Sequence, residues 1–338
     1  MNTNLDMNKK VKVSEIAAVA GVSPATVSRV INQREIVKGE TYEKVIQAMK
    51  QLGCSINESP IPQPASTGLI LINIPSLNNP FYGAIIKGAR ASISRHGYSM
   101  LINEGHINPG TIDLLVKTLK QNKVIGLITM NCIETSLIKK LSDTTCVVQC
   151  CEYNEDTDLP YVSINDVASA KMAVEHLLAQ GKKRIAFING PFRYKYAKHR
   201  LQGYMQALEE AGVPVDQEYI VQLPEIDSDL ATSAALQLLN LSEPPDAFFT
   251  VSDVYGAAVL RACYLSKRRV PEQVAVVGFD NLEISKSLVP ALSTVNQPKS
   301  QLGFMAAETL FEKITNPAIP NKKILLDTEL IVRESSSL

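Results

Sequence analysis

The sequence offers no segment suited to a membrane or to export. It has no run of about 18 apolar residues, the length that a membrane-spanning helix needs. Its N-terminal stretch, MNTNLDMNKKVKVSEIAAVAG, lacks the apolar core of roughly 7 to 15 residues that follows the charges of a secretory signal peptide. We therefore expect a cytoplasmic protein with no membrane partner.

Motifs for metal, cofactor and catalytic chemistry are missing as well. The six cysteines form no CxxC pair and the four histidines no paired ligand set, so neither a zinc site nor a redox motif is indicated. No glycine-rich phosphate loop, GxSxG or HExxH occurs. We expect no metal, no cofactor and no catalytic residue, and an enzyme is the weakest of the function classes considered.

Charge of one sign is not in excess, because Lys plus Arg and Asp plus Glu number 34 each. Any surface for nucleic acid must therefore be local. At 338 residues and 45% hydrophobic, the chain is long enough for two or three domains with a large core. Residues 57–66, NESPIPQPAS, carry three prolines that disfavour a helix or a central strand, so they mark a boundary.

Residues 1–56, ahead of this boundary, predict three short helices. Apolar residues recur at helical spacing in each segment, and Gly21 suits a tight turn after the first. Ser23 is placed to cap the second helix, with Pro24 at its first position, and Thr41 is placed to cap the third. This pattern is typical of a helix-turn-helix domain, although other three-helix domains share it.

The amino-acid sequence of this domain is more specific than its helix pattern. EIAAVAGVSPATVSRVIN closely resembles the DNA-reading unit of the LacI/GalR family of bacterial repressors. By that resemblance the helix that begins at Ser23 enters the major groove of double-stranded operator DNA, and Arg29 makes a guanine-type contact. The candidate DNA contacts, to bases or to phosphates, are Ser23, Pro24, Ala25, Thr26, Ser28, Arg29 and Asn32.

Residues 68–338 alternate apolar strands with amphipathic helices, as in GLILINI followed by FYGAIIKGARASISRHG. This alternation predicts parallel sheets covered on both faces, and about ten such units favour two doubly wound lobes. The same family resemblance covers this segment, in stretches such as KKRIAFINGP and VPEQVAVVGFDN, and implies a periplasmic-binding-protein-like core. Crossings between the lobes are expected near Tyr161, Pro290 and Asn321. The expected lobes are 68–160 with 291–320, and 161–290 with 321–338.

Ligands of such folds bind between the lobes, at the carboxyl ends of the strands. The rings of Phe81 and Tyr82 offer faces for a base or a sugar. Arg200 and Asp280 offer a donor and an acceptor for hydroxyls or a carbonyl, although an ion pair and a turn, respectively, are structural alternatives. Core packing is the alternative for Phe81, and a helix cap for Asp253. The candidate effector residues are Asn79, Phe81, Tyr82, Cys150, Tyr194, Tyr196, Arg200, Ser252, Asp253 and Asp280.

Two departures from the family bear on the ligand. Tyr194 and Tyr196 stand where purine-responsive members carry polar groups, which disfavours a purine base. Cys150 stands where several sugar-responsive members carry a carboxylate, so we expect an aromatic pocket short of carboxylates. A nucleoside is therefore favoured over a free hexose as the effector.

The boundary segment also departs from the family. Members typically carry YxPNxxARxL there, a hinge helix that wedges a leucine into the minor groove. Only Asn57 of that pattern is present, and Cys54 stands in place of the tyrosine. The linker 57–67 is expected to be an extended spacer that bends operator DNA little and tolerates variable half-site spacing.

Together these features predict a sequence-specific transcriptional regulator. It has an all-α helix-turn-helix domain followed by a two-lobed α/β core with two doubly wound parallel sheets. We expect a homodimeric repressor controlled by a small-molecule effector, with a nucleoside favoured. The alternatives are a sugar-responsive regulator of the same family and a cytoplasmic sugar or nucleoside binding protein without DNA function.

Overall fold

The computed structural model describes residues 13–24, 26–27, 30, 39–52 and 68–337. The chain divides into two units, Met1–Ala65 and Ser66–Leu338. The predicted linker 57–67 lies outside the described residues. So do four of the predicted DNA contacts, which are Ala25, Ser28, Arg29 and Asn32.

The first unit contains helices α1 (Val13–Ala20) and α2 (Gly39–Gln51), and a helical segment begins between them at Pro24. Gly21 ends α1 with a φ of +65°, a left-handed conformation that glycine adopts without strain. The Ser23 hydroxyl accepts a hydrogen bond from the Thr26 amide at 3.1 Å, which confirms the predicted cap.

The buried side chains of this unit come from all three segments. They are Ile16, Ala17, Val27, Val30, Val45, Ala48 and Met49. Since α2 already begins at Gly39, Thr41 lies inside the helix, and the prediction that Thr41 caps it is wrong.

The second unit contains two six-stranded sheets. Its strands are β1 (Leu69–Ile74), β2 (Ser99–Glu104), β3 (Val124–Thr129), β4 (Cys146–Cys150), β5 (Tyr161–Ile164), β6 (Ile185–Asn189), β7 (Ile220–Gln222), β8 (Ala247–Thr250), β9 (Ala275–Phe279), β10 (Ser293–Asn296), β11 (Lys323–Leu326) and β12 (Glu329–Ile331). Its helices are α3 (Phe81–Arg95), α4 (Ile112–Gln121), α5 (Thr135–Ser142), α6 (Asp166–Ala179), α7 (Lys195–Glu210), α8 (Ser228–Leu239), α9 (Asp253–Leu265), α10 (Glu283–Ser287) and α11 (Lys299–Thr315).

The two sheets have matching strand orders, β2-β1-β3-β4-β5-β11 in lobe 1 and β7-β6-β8-β9-β10-β12 in lobe 2. Neighbouring strands are parallel, except that β12 runs antiparallel to β10. All positions of β6 and β9 are buried, as expected of strands covered on both faces. The predicted fold class is confirmed.

The predicted lobe crossings near Tyr161, Pro290 and Asn321 lie several residues too early. β5, which starts at Tyr161, and β11, which follows Asn321, both pair within the first sheet. β10, which follows Pro290, pairs within the second. The chain therefore crosses after β5, after β10 and between β11 and β12, because each sheet gains one more strand before the chain leaves it.

After the second crossing the chain returns to lobe 1 as α11, which packs closely on α3. A Cβ atom on Gly88 of α3 would lie 1.9 Å from the Ser300 carbonyl oxygen, and a Cβ on Gly303 of α11 would lie 1.9 Å from the Ile85 carbonyl oxygen. Only glycine permits this approach of the two backbones. Within the described part of the chain, no helix is long and apolar enough to cross a membrane.

Candidate functional site

A cleft of about 530 Å³, its mouth included, lies where the strands of both lobes end. Seven of the predicted effector residues line it, and they are Asn79, Phe81, Tyr82, Tyr196, Arg200, Ser252 and Asp280. The rule that ligands bind at the carboxyl ends of parallel strands thus located the cleft from the sequence.

Cys150, predicted to face the ligand, does not line the cleft. Its side chain is fully buried in the core, on the side opposite Gln149, because side chains alternate along β4. Cys151 follows with a φ of +67°, and this turn brings Cys151 and Glu152 to the cleft wall instead. The Sγ atoms of the two cysteines are 3.8 Å apart.

Tyr194 also lies outside the inner cleft. Its ring stacks on Tyr196 with centroids 5.3 Å apart, and its hydroxyl lies 3.5 Å from Nδ1 of His106 in lobe 1. The side chain is only 6% exposed, so it closes the outer edge of the cleft and does not face its interior.

Asp253 is fully buried behind the cleft. Its carboxylate oxygens accept hydrogen bonds from the Leu282 amide and the Thr294 hydroxyl, both at 2.6 Å. Burial and the nearby Asp280 raise the pKa of Asp253 to about 8. The helix cap that was the alternative for Asp253 is supplied by Ser252, whose hydroxyl accepts from the Tyr255 amide at 3.4 Å.

Arg200 is anchored by protein groups as well as exposed to the cleft. Its Nε and Nη2 atoms donate to Oδ1 of Asp166 at 3.0 and 2.9 Å, and Nη1 donates to the Val251 carbonyl at 2.6 Å. The guanidinium also lies 3.5 Å from the centre of the Phe279 ring. The structural ion pair and the cleft-facing position therefore both apply, and the ion pair fixes where the guanidinium points.

Asp166 is a cleft residue that the sequence analysis missed. Its second oxygen accepts from Nζ of Lys195 at 2.8 Å, so one buried carboxylate pairs with two cations. Burial raises the pKa of Asp166, but the charges and hydrogen bonds of Lys195 and Arg200 outweigh it and leave the pKa below its usual value. In the sequence, Asp166 reads as an ordinary first residue of a helix capped by Asn165, so no local signal marked it.

Glu152 is the second missed residue. Its carboxylate accepts hydrogen bonds from the amides of Lys195 and Tyr196 at 2.7 and 3.1 Å, although Glu152 belongs to lobe 1 and α7 to lobe 2. Burial raises its pKa, and the charge of Lys195 opposes that rise. With Asp166 and Asp280, three carboxylates line the cleft, so the expectation of a pocket short of carboxylates is wrong.

Asp280 directly follows β9 and has a φ of +106°, an unusual backbone conformation for a residue other than glycine. Its carboxylate accepts from the Gln297 amide at 2.6 Å and lies 3.9 Å from Nη1 of Arg200. Burial raises the pKa of Asp280 to about 6, against the charges of Arg200 and Lys299. The turn and the cleft-facing carboxylate therefore coincide at this residue.

The aromatic side of the cleft is formed by the first turn of α3 and by α7. Phe81 and Tyr82 meet edge to face with ring centroids 5.4 Å apart, and Asn79 accepts a hydrogen bond from the Phe81 amide at 3.0 Å. Tyr196 faces them from lobe 2, with its ring 5.0 Å from the guanidinium carbon of Arg200. Core packing and cleft lining both describe Phe81, which is 9% exposed.

Three of the predicted DNA contacts fall on described residues. Ser23 and Pro24 are exposed at the start of the second helix, and Thr26 is half-buried. The hydroxyls of Ser23 and Thr26 are hydrogen-bonded to each other at 2.8 Å. An exposed helix N-terminus is the part of a reading helix that approaches base edges in helix-turn-helix proteins.

Comparison with known proteins identifies both units. Residues 12–57 match the family model for bacterial regulatory proteins of the lacI family, and residues 174–336 match that for a periplasmic binding protein-like domain. The HTH-type transcriptional repressor CytR of Escherichia coli is 31% identical over 335 residues, which cover 96% of each chain. The chain belongs to the LacI family of bacterial regulatory proteins.

Further relatives and solved structures agree with this LacI-family assignment. The ribose operon repressor of Escherichia coli is 29% identical over 96% of this chain and 99% of its own. The structure of the transcriptional regulator CelR in complex with cellobiose has a TM-score of 0.74 at 30% identity, covering 96% of this chain and all of that one. A lac repressor dimer bound to operator shares the fold, with a TM-score of 0.73 at 24% identity over 97% and 99% of the two chains.

As a LacI-family member, this protein is a ligand-responsive, DNA-binding transcriptional repressor and not an enzyme. Its partners are operator DNA and a small-molecule effector.

Proposed function

We propose that this repressor acts as a homodimer in the bacterial cytoplasm and that a pyrimidine nucleoside bound in the cleft controls its affinity for operator DNA. Three rings, those of Phe81, Tyr82 and Tyr196, offer faces against which a flat base can pack. Buried carboxylates and amides nearby suit ribose hydroxyls. The similarity to CytR supports this choice without deciding it.

A free sugar is the second candidate, and a specific observation favours it. Glu152, Asp166 and Asp280 place three carboxylates around the cleft, and carboxylates are common acceptors for sugar hydroxyls. All three already accept hydrogen bonds from protein groups, so each has only its remaining lone pairs for a ligand. The aromatic rings also have protein neighbours, but a flat base packs on cleft-lining rings better than a sugar does, which is why the nucleoside is preferred.

The effector is tested by calorimetric titration of the full chain with cytidine, uridine, adenosine, ribose and common hexoses. We expect one pyrimidine nucleoside to bind in the micromolar range, on the order of −8 kcal/mol. Asp280→Ala should weaken it by roughly tenfold to a hundredfold, because Gln297 and the ligand each lose a buried partner. Cys150→Ala, in the core behind the cleft, is the control and should bind as the wild type does. Tighter binding of a hexose or ribose would reject the nucleoside and leave the repressor assignment intact.

For the DNA side, the proposal is that Arg29 contacts a guanine while Pro24 and Ala25 meet bases only through apolar contacts. The proline-rich linker supports a further feature, weak bending of the operator, because Pro60, Pro62 and Pro64 remove helical hydrogen-bond donors. Circular-permutation gel shifts test it directly. A sharp central kink in the bound operator would contradict an extended spacer.

A further inference from the structure

One short segment of lobe 1 contacts one turn of lobe 2 across the cleft. After β4, Glu152 and Tyr153 lie against Lys195 and Tyr196, the first two residues of α7. We call these four residues the clasp. Of the two lobe 1 members, Glu152 is buried, at 3% exposure, and Tyr153 is half-buried.

The carboxylate of Glu152 serves as the cap of a helix that belongs to the other lobe. One oxygen accepts from the Lys195 amide and the other from the Tyr196 amide. The residue that precedes α7 in sequence, Tyr194, makes no side-chain cap bond. A carboxylate at a helix N-terminus gains from charge-assisted hydrogen bonds and from the positive end of the helix dipole, and burial strengthens both.

The side chain of Lys195 makes the second contact of the clasp. Its ammonium lies 4.6 Å from the centre of the Tyr153 ring, which is itself stacked on Tyr161 with centroids 3.8 Å apart. The same ammonium donates to Asp166 at 2.8 Å, and Asp166 holds Arg200. The clasp is thus connected through hydrogen bonds to a guanidinium on the far wall of the cleft.

We propose that Glu152 is a positioning residue that holds the lobes closed in the absence of ligand and sets the location of Tyr196 and Arg200. Separating the lobes withdraws the carboxylate from both amides and uncovers the first turn of α7. The cleft geometry that a ligand meets therefore depends on this cross-lobe cap. The inference rests on the proposed function only in taking the cleft as the effector site.

The test uses the full chain without effector or DNA, so it remains decisive if the nucleoside titration fails. Hydrogen exchange of the amides of Lys195 and Tyr196 reports the cap, and small-angle X-ray scattering reports lobe separation. In Glu152→Ala we expect exchange at these two amides to be faster by about tenfold or more, since a buried charge-assisted bond is lost. We also expect a larger radius of gyration than in the wild type.

Two further variants control the result. Glu152→Gln keeps an acceptor oxygen and loses the charge, so its exchange should fall between wild type and Glu152→Ala, and it keeps the test open if the alanine variant does not fold. Glu155→Ala removes an exposed carboxylate of the same segment, whose Oε1 atom lies 3.8 Å from Nε2 of His199. This variant should change neither readout.

Faster exchange in Glu152→Ala with an unchanged radius of gyration would overturn the proposal, because it would show a cap without a role in closure. Unchanged exchange in both Glu152 variants would overturn it as well. An equal opening in Glu155→Ala would assign closure to the segment as a whole and not to Glu152.

Discussion

The two lobes share a strand order but differ in how they satisfy polar groups at the ends of their strands. In lobe 1 the buried Asn73 of β1 donates to the carbonyls of Asn103 and Gly105, both at 3.2 Å, and accepts from the Thr129 hydroxyl at 3.2 Å and from the amide of Asn131. The groups that bond Asn73 are neutral, and Asn131 also lies 3.2 Å from Nδ1 of His106 through its Oδ1 atom. The four hydrogen bonds of Asn73 itself therefore involve no titrating group.

In lobe 2 the corresponding region contains titratable carboxylates and a guanidinium. Asp253 follows β8 and Asp280 follows β9. The guanidinium of Arg200 pairs with Asp166 and lies 3.9 Å from Asp280. The pKa values of Asp253 and Asp280 are raised to about 8 and about 6, chiefly by burial. The same architecture thus carries a network of neutral groups around Asn73 in one lobe and titratable carboxylates at the strand ends of the other, while lobe 1 also contributes Glu152 to the cleft wall.

The largest expected effect comes from breaking the ion pair of lobe 2. Arg200→Ala leaves Asp166 with Lys195 alone and the Val251 carbonyl without its donor. Removing one partner of a buried pair costs roughly 3–5 kcal/mol of the free energy of unfolding. Urea denaturation followed by circular dichroism measures it. Arg200→Lys keeps the charge but loses the fork of donors, so its free energy of unfolding should lie between those of the wild type and Arg200→Ala. An alanine variant as stable as the wild type would contradict the ion-pair account.

The matching change in lobe 1 should cost less and should not depend on pH. Asn73→Ala leaves two carbonyls, the Thr129 hydroxyl and the Asn131 amide without their partner, at a cost of about 1–3 kcal/mol. The same loss is expected at about pH 5 and about pH 8. Asn122→Ala removes an exposed amide at the end of α4 and serves as the control. A strong pH dependence in Asn73→Ala would show that the neutral network is coupled to titrating groups.

The smallest effect sharpens the pH contrast. Because the folded pKa of Asp253, about 8, lies above its unfolded value of about 4, the folded state holds a proton that the unfolded state releases, so wild-type stability falls as pH rises between these values. Asp253→Asn removes this term. The free energy of unfolding of the variant minus that of the wild type should rise from pH 5 to pH 6, by on the order of 1 kcal/mol. A difference that stays constant or falls over this range would place the ionised form of Asp253 in the folded state.

The sequence predicted the cleft better than its electrostatics, for a physical reason. Asp280 directly follows β9, and Phe81 and Arg200 lie in the helices that follow β1 and β6. The carboxyl ends of parallel strands converge by a general rule, which brings these residues together. Glu152 and Asp166 acquire their roles only through partners on α7, which are distant in sequence and chosen by lobe packing. The direction of a side chain could not be predicted where a strand ends. The turn at Cys151 brings Cys151 to the cleft in place of Cys150.

The lobe boundaries failed for a related reason. Breaks in the apolar pattern near Pro290 and Asn321 mark loops. After a loop, the chain can either cross to the other lobe or add one more strand to the sheet of the same lobe. Only the pairing of β10 and β11 decides between these, and pairing is a tertiary property. The helix-turn-helix unit was easier, because the Ser23 cap and Gly21 turn are local in sequence.

The most direct test of the central claim combines operator selection with effector response. The full chain is used to select bound sequences from randomised duplex DNA, and the affinity for the selected site is then measured by fluorescence anisotropy at fixed salt with and without cytidine. We predict a two-fold symmetric site, a change in affinity on adding cytidine, and for Arg29→Ala a loss of about 1–3 kcal/mol with relaxed preference at one base pair. Sequence-independent binding that only weakens as salt increases, with no selected site, would contradict a ligand-controlled repressor.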